Sequence, residues 1–180
     1  YYSVSTFGSR RSCIGLATNR TLDPARPEYR WVDRGPVLSS RPSNNWNAID
    51  PSVLRDANGQ PWMAFGSFWS GLKLVGLDPN TGLTPPEPPD PIALAARPDS
   101  HAVEAAFLYR HGDDYLLFAS FDHCCRGIQS DYRVVVGRSR DIRGPYLDRR
   151  GQPMTTGGGT PVLSTYGAVR GPGHNAVIRA

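Results

Sequence analysis

Short apolar runs separated by polar turns divide the chain into segments of strand length. The predicted strands are residues 1–7, 12–18, 31–38, 53–54, 62–68, 72–77, 106–109, 115–121, 132–139 and 162–163. Turns rich in Gly, Pro and Asp separate them, as at residues 78–82, and residues 84–91 are a Pro-rich surface loop. No long stretch repeats its apolar residues every three to four positions. The pattern therefore predicts an all-β fold.

One segment occurs twice, and each copy begins with an acidic residue. The first copy runs DPSVLRDANGQPWMAFGSF from Asp50, and the second runs EAAFLYRHGDDYLLFASF from Glu104. Residues 1–7 match the end of this unit, and residues 171–174 open a third copy. Because each unit contains about four strands, the repeat predicts β-propeller blades around one channel, where Asp50, Glu104 and His174 should converge. A β-sandwich with two hairpins that are similar by chance is the alternative.

The two repeated acids have the chemistry that glycoside hydrolysis requires. In that reaction one carboxylic acid protonates the leaving oxygen, and a carboxylate activates water or attacks the sugar. Glu104 lies between Val103 and further apolar residues, a setting that favours the protonated acid. Pro51 predicts an extended backbone at Asp50, whose negative charge would favour protonation of Glu104 further. A turn at a lone Asp-Pro pair is the structural alternative for Asp50.

Charge and cysteine content exclude some other classes. The net charge of +4 comes from 19 Arg and one Lys spread along the chain, so no basic groove for nucleic acid is predicted. Three cysteines, Cys13, Cys124 and Cys125, cannot all pair within the chain, and adjacent cysteines rarely pair with each other. No apolar run of membrane-spanning length is present, so no membrane partner is expected.

Eight motifs occur in an order that is typical of one enzyme family. They are NAIDPS (47–52), FGSFWSG (65–71), VEAAF (103–107), SFDHCCRG (120–127), VGRS (136–139), DIRGPY (141–146), GGGT (157–160) and GPGH (171–174). This set resembles the endo-1,5-α-L-arabinanases of glycoside hydrolase family 43. The resemblance implies an inverting hydrolase that cuts internal α-1,5 links of linear arabinan. An exo-acting arabinofuranosidase or β-xylosidase of the same family, or a non-catalytic carbohydrate-binding propeller, are the alternatives.

The resemblance also implies a five-bladed β-propeller. Residues 1–180 would be a single catalytic domain truncated at both ends, from the end of blade 2 through blades 3 and 4 to the start of blade 5. The complete protein would be secreted, because its polymeric substrate is extracellular, and would be a monomer.

Roles for individual residues follow from the matched motifs. Glu104 would be the general acid, and Asp50 the carboxylate that tunes the pKa of that acid and orients it. His174 would help to hold a calcium ion that is coordinated mostly by water, although a hydrogen-bonded channel residue is the alternative. The expected substrate contacts are Gly8, Asn47, Ala48, Ile49, Asp50, Pro51, Phe68, Trp69 and Ser70.

The catalytic base of the family, an Asp of the first blade, is expected upstream of Tyr1. Asp23 and Asp33 occur in contexts that match no family motif. The chain would thus contain the general acid Glu104 and the pKa-tuning carboxylate Asp50, but not the catalytic base. The isolated fragment is expected to be inactive, and either marginally stable or prone to self-association, because open blades expose sheet faces and edges. Three further histidines, His101, His111 and His123, are expected on the loop surface.

Overall fold

Three antiparallel sheets make up the chain, of which the computed structural model describes residues 1–179. The first sheet has the order β1 (Tyr2–Ser5), β2 (Ser12–Thr18), β3 (Val32–Ser40). The second has the order β4 (Ser52–Arg55), β5 (Pro61–Phe65), β6 (Leu72–Gly76), β7 (Ile92–Ala95). The third has the order β8 (Val103–His111), β9 (Asp114–Phe121), β10 (Arg133–Ser139), β11 (Thr160–Leu163). The all-β prediction is confirmed; the only helices in the described residues are 3-10 turns at Gly127–Gln129 and Met154–Thr156.

The strand predictions located ten of these strands and missed β7. This four-residue strand follows the Pro-rich segment and contains two Ala, so it has little of the β-branched and aromatic content that marks strands. The prediction for β5 was too long at its end. The strand ends at Phe65, since Gly66 has a φ of 126° and the backbone at Phe68 and Trp69 is left-handed.

The second sheet lies between the other two and shares a core with each. One buried cluster joins it to the third sheet and includes Leu72, Leu74 and Leu117, each fully buried. The other cluster joins it to the first sheet and includes Ile14 and Phe65. Full burial of such a side chain contributes roughly 1.5–3 kcal/mol. Packing of β8 on β4, β5 and β6 thus fixes the start of β8 beside the start of β4.

The cysteine prediction was wrong in one respect, because adjacent Cys124 and Cys125 form a disulfide. The pair lies in the loop after β9, where the backbone at Cys125 is left-handed with a φ of 65°. That turn, which the sequence did not reveal, brings the two side chains together. Cys13 is a free, half-buried thiol. Among residues 1–179, none of the helices has the length and hydropathy needed to cross a membrane.

Candidate active site

Glu104 lies near the start of β8, where a β-bulge changes the direction of the strand. Glu104 pairs with Ser120 of β9, but the register shifts before the next pair, which begins at Phe107. Within the bulge, Ala105 has a left-handed backbone with a φ of 55°. Such bulges commonly re-aim side chains beside functional sites. At this bulge, the side chain of Glu104 lines a groove.

Two hydroxyl groups hold the carboxyl group of Glu104. The Ser67 hydroxyl donates to Oε2 over 2.8 Å, and the Tyr132 hydroxyl donates to Oε1 over 2.7 Å. Burial, together with the neighbouring Glu104, raises the pKa of Tyr132 far above its usual range, so Tyr132 stays a neutral phenol. Since hydroxyls can donate or accept, both contacts suit either protonation state of Glu104. The sequence analysis missed both residues, although Ser67 belongs to the repeated Phe-Gly-Ser-Phe ending.

Asp50 is bound to the residue that follows Glu104. Its Oδ2 accepts a hydrogen bond from the Ala105 N–H over 3.1 Å. Burial raises the pKa of Asp50, and the nearby Glu104 raises it further, whereas His174 and the Ala105 N–H act in the opposite direction without cancelling the rise. The two carboxylates and the histidine are therefore close enough to influence one another.

The prediction of an extended backbone at Asp50 was wrong, since its φ is 56°. Pro51 disfavours the right-handed helical conformation at the residue before it, and Asp is one of the few residues that adopt the left-handed one. The Asp50 N–H then donates to the Ser3 hydroxyl over 3.2 Å, which connects it to β1 of the first sheet.

A left-handed residue recurs at the same place in all three units. Asp50, Ala105 and His174 have φ values of 56°, 55° and 50°. In each case the backbone N–H donates to a side chain of the preceding unit: Ser3 for the first, Asp50 for the second and Ser120 for the third. In the structure Asp50 thus corresponds to Ala105. The sequence repeat had aligned Asp50 with Glu104, which is the residue before Ala105. The one-residue offset puts the two acids in different environments.

A groove of about 800 Å³ opens beside Glu104. Six of the predicted substrate contacts line it: Gly8, Asn47, Ile49, Phe68, Trp69 and Ser70. Ala48 has no exposed surface and packs in the core between the first and second sheets, while Asp50 and Pro51 lie outside the groove lining. The groove also contains residues that the sequence analysis did not single out: Ser5, Phe7, Ser9, Arg10, Asn45, Ser67 and Ser100.

Aromatic and polar groups both line this groove. The Arg10 guanidinium lies 5.5 Å from the centre of the Trp69 ring. The hydroxyl of Ser70 is buried and has no hydrogen-bond partner within the protein. Such a mixture suits a sugar, which presents an apolar face to aromatic rings and hydroxyl groups to polar ones.

His101 lies on the exposed loop before β8, as predicted, and it is also part of the groove. It is exposed, lines the groove and has its Nδ1 2.9 Å from the Trp69 carbonyl oxygen. His123 lies in a loop with its ring 6.1 Å from that of Phe68, and His111 is the exposed last residue of β8.

The described residues do not fit a calcium centre by themselves. In this part of the chain no three His, Cys, Asp or Glu side chains are grouped so that they could hold a metal ion. His174 offers a single nitrogen, whereas Ca²⁺ prefers six to eight oxygen ligands. Calcium at His174 therefore stays a prediction.

Glu104 is the only carboxylate among residues 1–179 that lines the groove. Asp23 belongs to a separate surface pocket with Arg20 and Arg26. Asp33 accepts hydrogen bonds from the Tyr2 hydroxyl and the Gly35 N–H in the first sheet. Neither Asp23 nor Asp33 is placed to activate a water molecule beside Glu104.

Solved structures with closely similar folds are arabinanases. The arabinanase of Cellvibrio cellulosa in complex with arabinohexaose superimposes with a TM-score of 0.91 at 43% identity, over 96% of this chain and 58% of that one. A family 43 endo-arabinanase from Bacillus licheniformis gives a TM-score of 0.91 at 41% identity, over 99% of this chain and 62% of that one.

Curated relatives give the same indication. An extracellular exo-α-(1→5)-L-arabinofuranosidase of Cellvibrio japonicus is 48% identical over 188 residues, 98% of this chain and 54% of that protein. An extracellular endo-α-(1→5)-L-arabinanase of Bacillus subtilis is 45% identical over 180 residues, 99% of this chain and 53% of that protein. The chain spans about half the length of these curated relatives. The family model of the glycosyl hydrolases family 43 matches residues 1–180. The chain therefore belongs to glycosyl hydrolase family 43.

Proposed function

We propose that the complete protein hydrolyses internal α-1,5-L-arabinofuranosidic bonds of arabinan with inversion, and that Glu104 is its general acid. The observation that carries this proposal is the position of Glu104, a groove carboxyl group held by two buried hydroxyls and tied to Asp50 through Ala105. A relative at 45% identity that is named an endo-arabinanase supports the same substrate.

Glu104 would donate its proton to the glycosidic oxygen as the bond to the leaving sugar breaks. Asp50 would act on that step indirectly: it holds the Ala105 N–H and thereby the bulge from which Glu104 projects. The carboxylate that activates water in an inverting enzyme would come from residues that precede Tyr1. An inverting pair needs room for that water, with carboxyl groups about 6.5–9.5 Å apart.

The groove would bind the arabinose units of the polymer. The rings of Phe68 and Trp69 offer apolar faces for sugar stacking, and both lie on the left-handed turn after β5. Ser70, the next residue along the chain, also lines the groove.

In the complete protein the three sheets would be consecutive blades of a five-bladed propeller. The second and third sheets have the same strand order, and the first would supply the outer three strands of another blade. Secretion and a monomeric state are part of this proposal. The names of two extracellular relatives support secretion.

The test is Glu104→Gln in the full-length protein. Because general acid catalysis typically contributes 10²–10⁴-fold, we expect kcat on linear arabinan to fall by about that factor, while arabinohexaose binding measured by calorimetry persists. Glu87→Gln, in the exposed Pro-rich segment, is the matched control and should leave kcat unchanged. Binding without hydrolysis by the wild-type protein would instead identify a non-catalytic carbohydrate-binding propeller.

Exo-action is the second candidate, favoured by the relative that is 48% identical and named an exo-arabinofuranosidase. The two modes differ in their products. An endo-enzyme lowers the viscosity of arabinan before many reducing ends appear, whereas an exo-enzyme releases short products while viscosity remains high. Viscometry and product chromatography on the same reaction separate the two.

A further inference from the structure

We infer that His101 is a substrate-contacting residue of the groove, and that its Nε2 accepts a hydrogen bond from a hydroxyl group of a bound sugar. This inference rests on the proposed function, because the sugar is its ligand. His101 lies in none of the eight family motifs.

The Trp69 carbonyl determines the tautomer of His101. The Nδ1 of His101 lies 2.9 Å from this oxygen, and a carbonyl oxygen can only accept. Nδ1 must therefore carry a proton. In the neutral imidazole the proton-free lone pair is then on Nε2, which is an acceptor and not a donor.

Backbone contacts hold His101 in place. Its N–H donates to the Arg97 carbonyl over 2.8 Å, and its own carbonyl accepts from the Val103 N–H over 2.9 Å. The Val103 carbonyl in turn accepts from the Phe68 N–H over 2.8 Å. His101 is thus bound both to the strand that contains Glu104 and to the turn that contains Trp69.

The hydrogen bond to Trp69 leaves Nε2 as the only polar atom of the side chain available to a ligand. His101 is exposed, and it lines the same groove as Glu104 and Trp69. A sugar stacked on Trp69 presents hydroxyl groups at its edge, and a hydroxyl is the donor that an imidazole lone pair requires. The residue would therefore select sugar hydroxyls beside the aromatic turn.

Two substitutions separate this contact from a purely structural role. His101→Asn places an amide N–H where Nδ1 was, so it keeps the donor to Trp69 and removes Nε2. His101→Gln extends a polar amide group towards the position of Nε2 and gives up the Nδ1 donor. His111→Asn, at the exposed far end of β8, is the matched control.

The measurements are KM and kcat on linear arabinan with the full-length protein, and arabinohexaose affinity in a Glu104→Gln background. Because one neutral hydrogen bond is lost, we expect His101→Asn to raise KM and the dissociation constant about two- to tenfold. His101→Gln should change both by less, and kcat should change little in either variant. His111→Asn should match the parent protein.

An unchanged KM in His101→Asn, with weaker binding in His101→Gln, would overturn the inference, since His101 would then only hold the Trp69 turn. In that case the parent protein still hydrolyses arabinan, so the proposed function stands. Absence of both hydrolysis and binding in the parent protein would overturn the proposed function and this inference together.

Discussion

Asp50 and Glu104 occupy equivalent places in the sequence repeat and different places in the site. Two hydroxyls hold the Glu104 carboxyl group at the groove. Asp50 is instead one residue further along its unit, with a left-handed backbone and a carboxylate turned to the Ala105 N–H. The different contacts of the two acids thus accompany a single-residue offset between the two units.

Replacement of Asp50 by Asn tests how much the burial of its charge lowers the free energy of unfolding. Because the folded-state pKa is raised above 3.8, the folded protein binds more protons, and stability falls as pH rises through that folded pKa. Ionisation of the half-buried Asp50 therefore destabilises the fold. We expect Asp50→Asn to raise the free energy of unfolding at pH 7 by roughly 0.5–2 kcal/mol and to lower activity, as functional-site substitutions often do.

Urea unfolding at pH 7 and pH 4 measures this effect. The gain should shrink as the pH is lowered, because Asp50 then takes up its proton more readily in the folded than in the unfolded state and comes to resemble Asn. Asp90→Asn, in an exposed loop, is the control and should change stability by less than about 0.5 kcal/mol. A loss of stability in Asp50→Asn at pH 7 would contradict the argument.

At the scale of single elements, the β-bulge in β8 interrupts the regular pairing of this strand next to Glu104. A regular strand would continue the pairing from Glu104 directly along β9, but the register shifts before Phe107. The cost is a left-handed alanine, which is unfavourable by about 1–2 kcal/mol because its Cβ crowds the backbone. Strain of this kind persists where the surroundings determine the conformation, as at functional sites.

Glycine at the bulge tests that strain. Ala105 has a φ of 55°, whereas its neighbour Ala106 has no such conformation, and both are buried. Each Gly substitution removes one buried methyl group, but only Ala105→Gly also relieves the left-handed strain. We expect Ala105→Gly to be more stable than Ala106→Gly by about 1 kcal/mol in chemical unfolding. Equal destabilisation by the two variants would show that the bulge stores no strain.

At the scale of the molecule, apolar side chains are buried between neighbouring sheets, whereas the two outer sheets leave some apolar side chains exposed. Val4 on β1 is 59% exposed, and Val162 on the edge strand β11 is 54% exposed. Unpaired strand edges with apolar side chains favour association between chains. The proposed five-bladed arrangement would cover these surfaces with further blades.

The 180-residue chain on its own should therefore self-associate. We expect light scattering coupled to size-exclusion chromatography to give a mass that rises with protein concentration. Val162→Lys together with Leu163→Lys should reduce that rise, because charge on an edge strand opposes pairing. Ile128→Lys, at an exposed apolar position outside the sheets, is the control and should leave it unchanged. A monomer at all concentrations would contradict this prediction.

Much of the fold could be predicted from local pattern. Ten of eleven strands were located because alternation and turn residues are encoded within a few positions, and β7 was missed because its Ala-rich sequence carries little of that signal. Motif order also predicted the family. The backbone conformations at Asp50 and Cys125 were not predicted, because each depends on hydrogen bonds or covalent contacts that form only in the folded chain.

The sequence by itself determined ten of the eleven strands along the chain, the two acids and the family, since each is a matter of which residues follow which. Only the tertiary structure decided which side chains meet. Ser67 lies 37 residues from Glu104 and Tyr132 lies 28 residues away, yet both donate to its carboxyl group. His101 binds Trp69, 32 residues earlier, for the same reason. Packing of whole sheets brings these residues together, and that packing depends on long-range contacts that no short stretch of sequence contains.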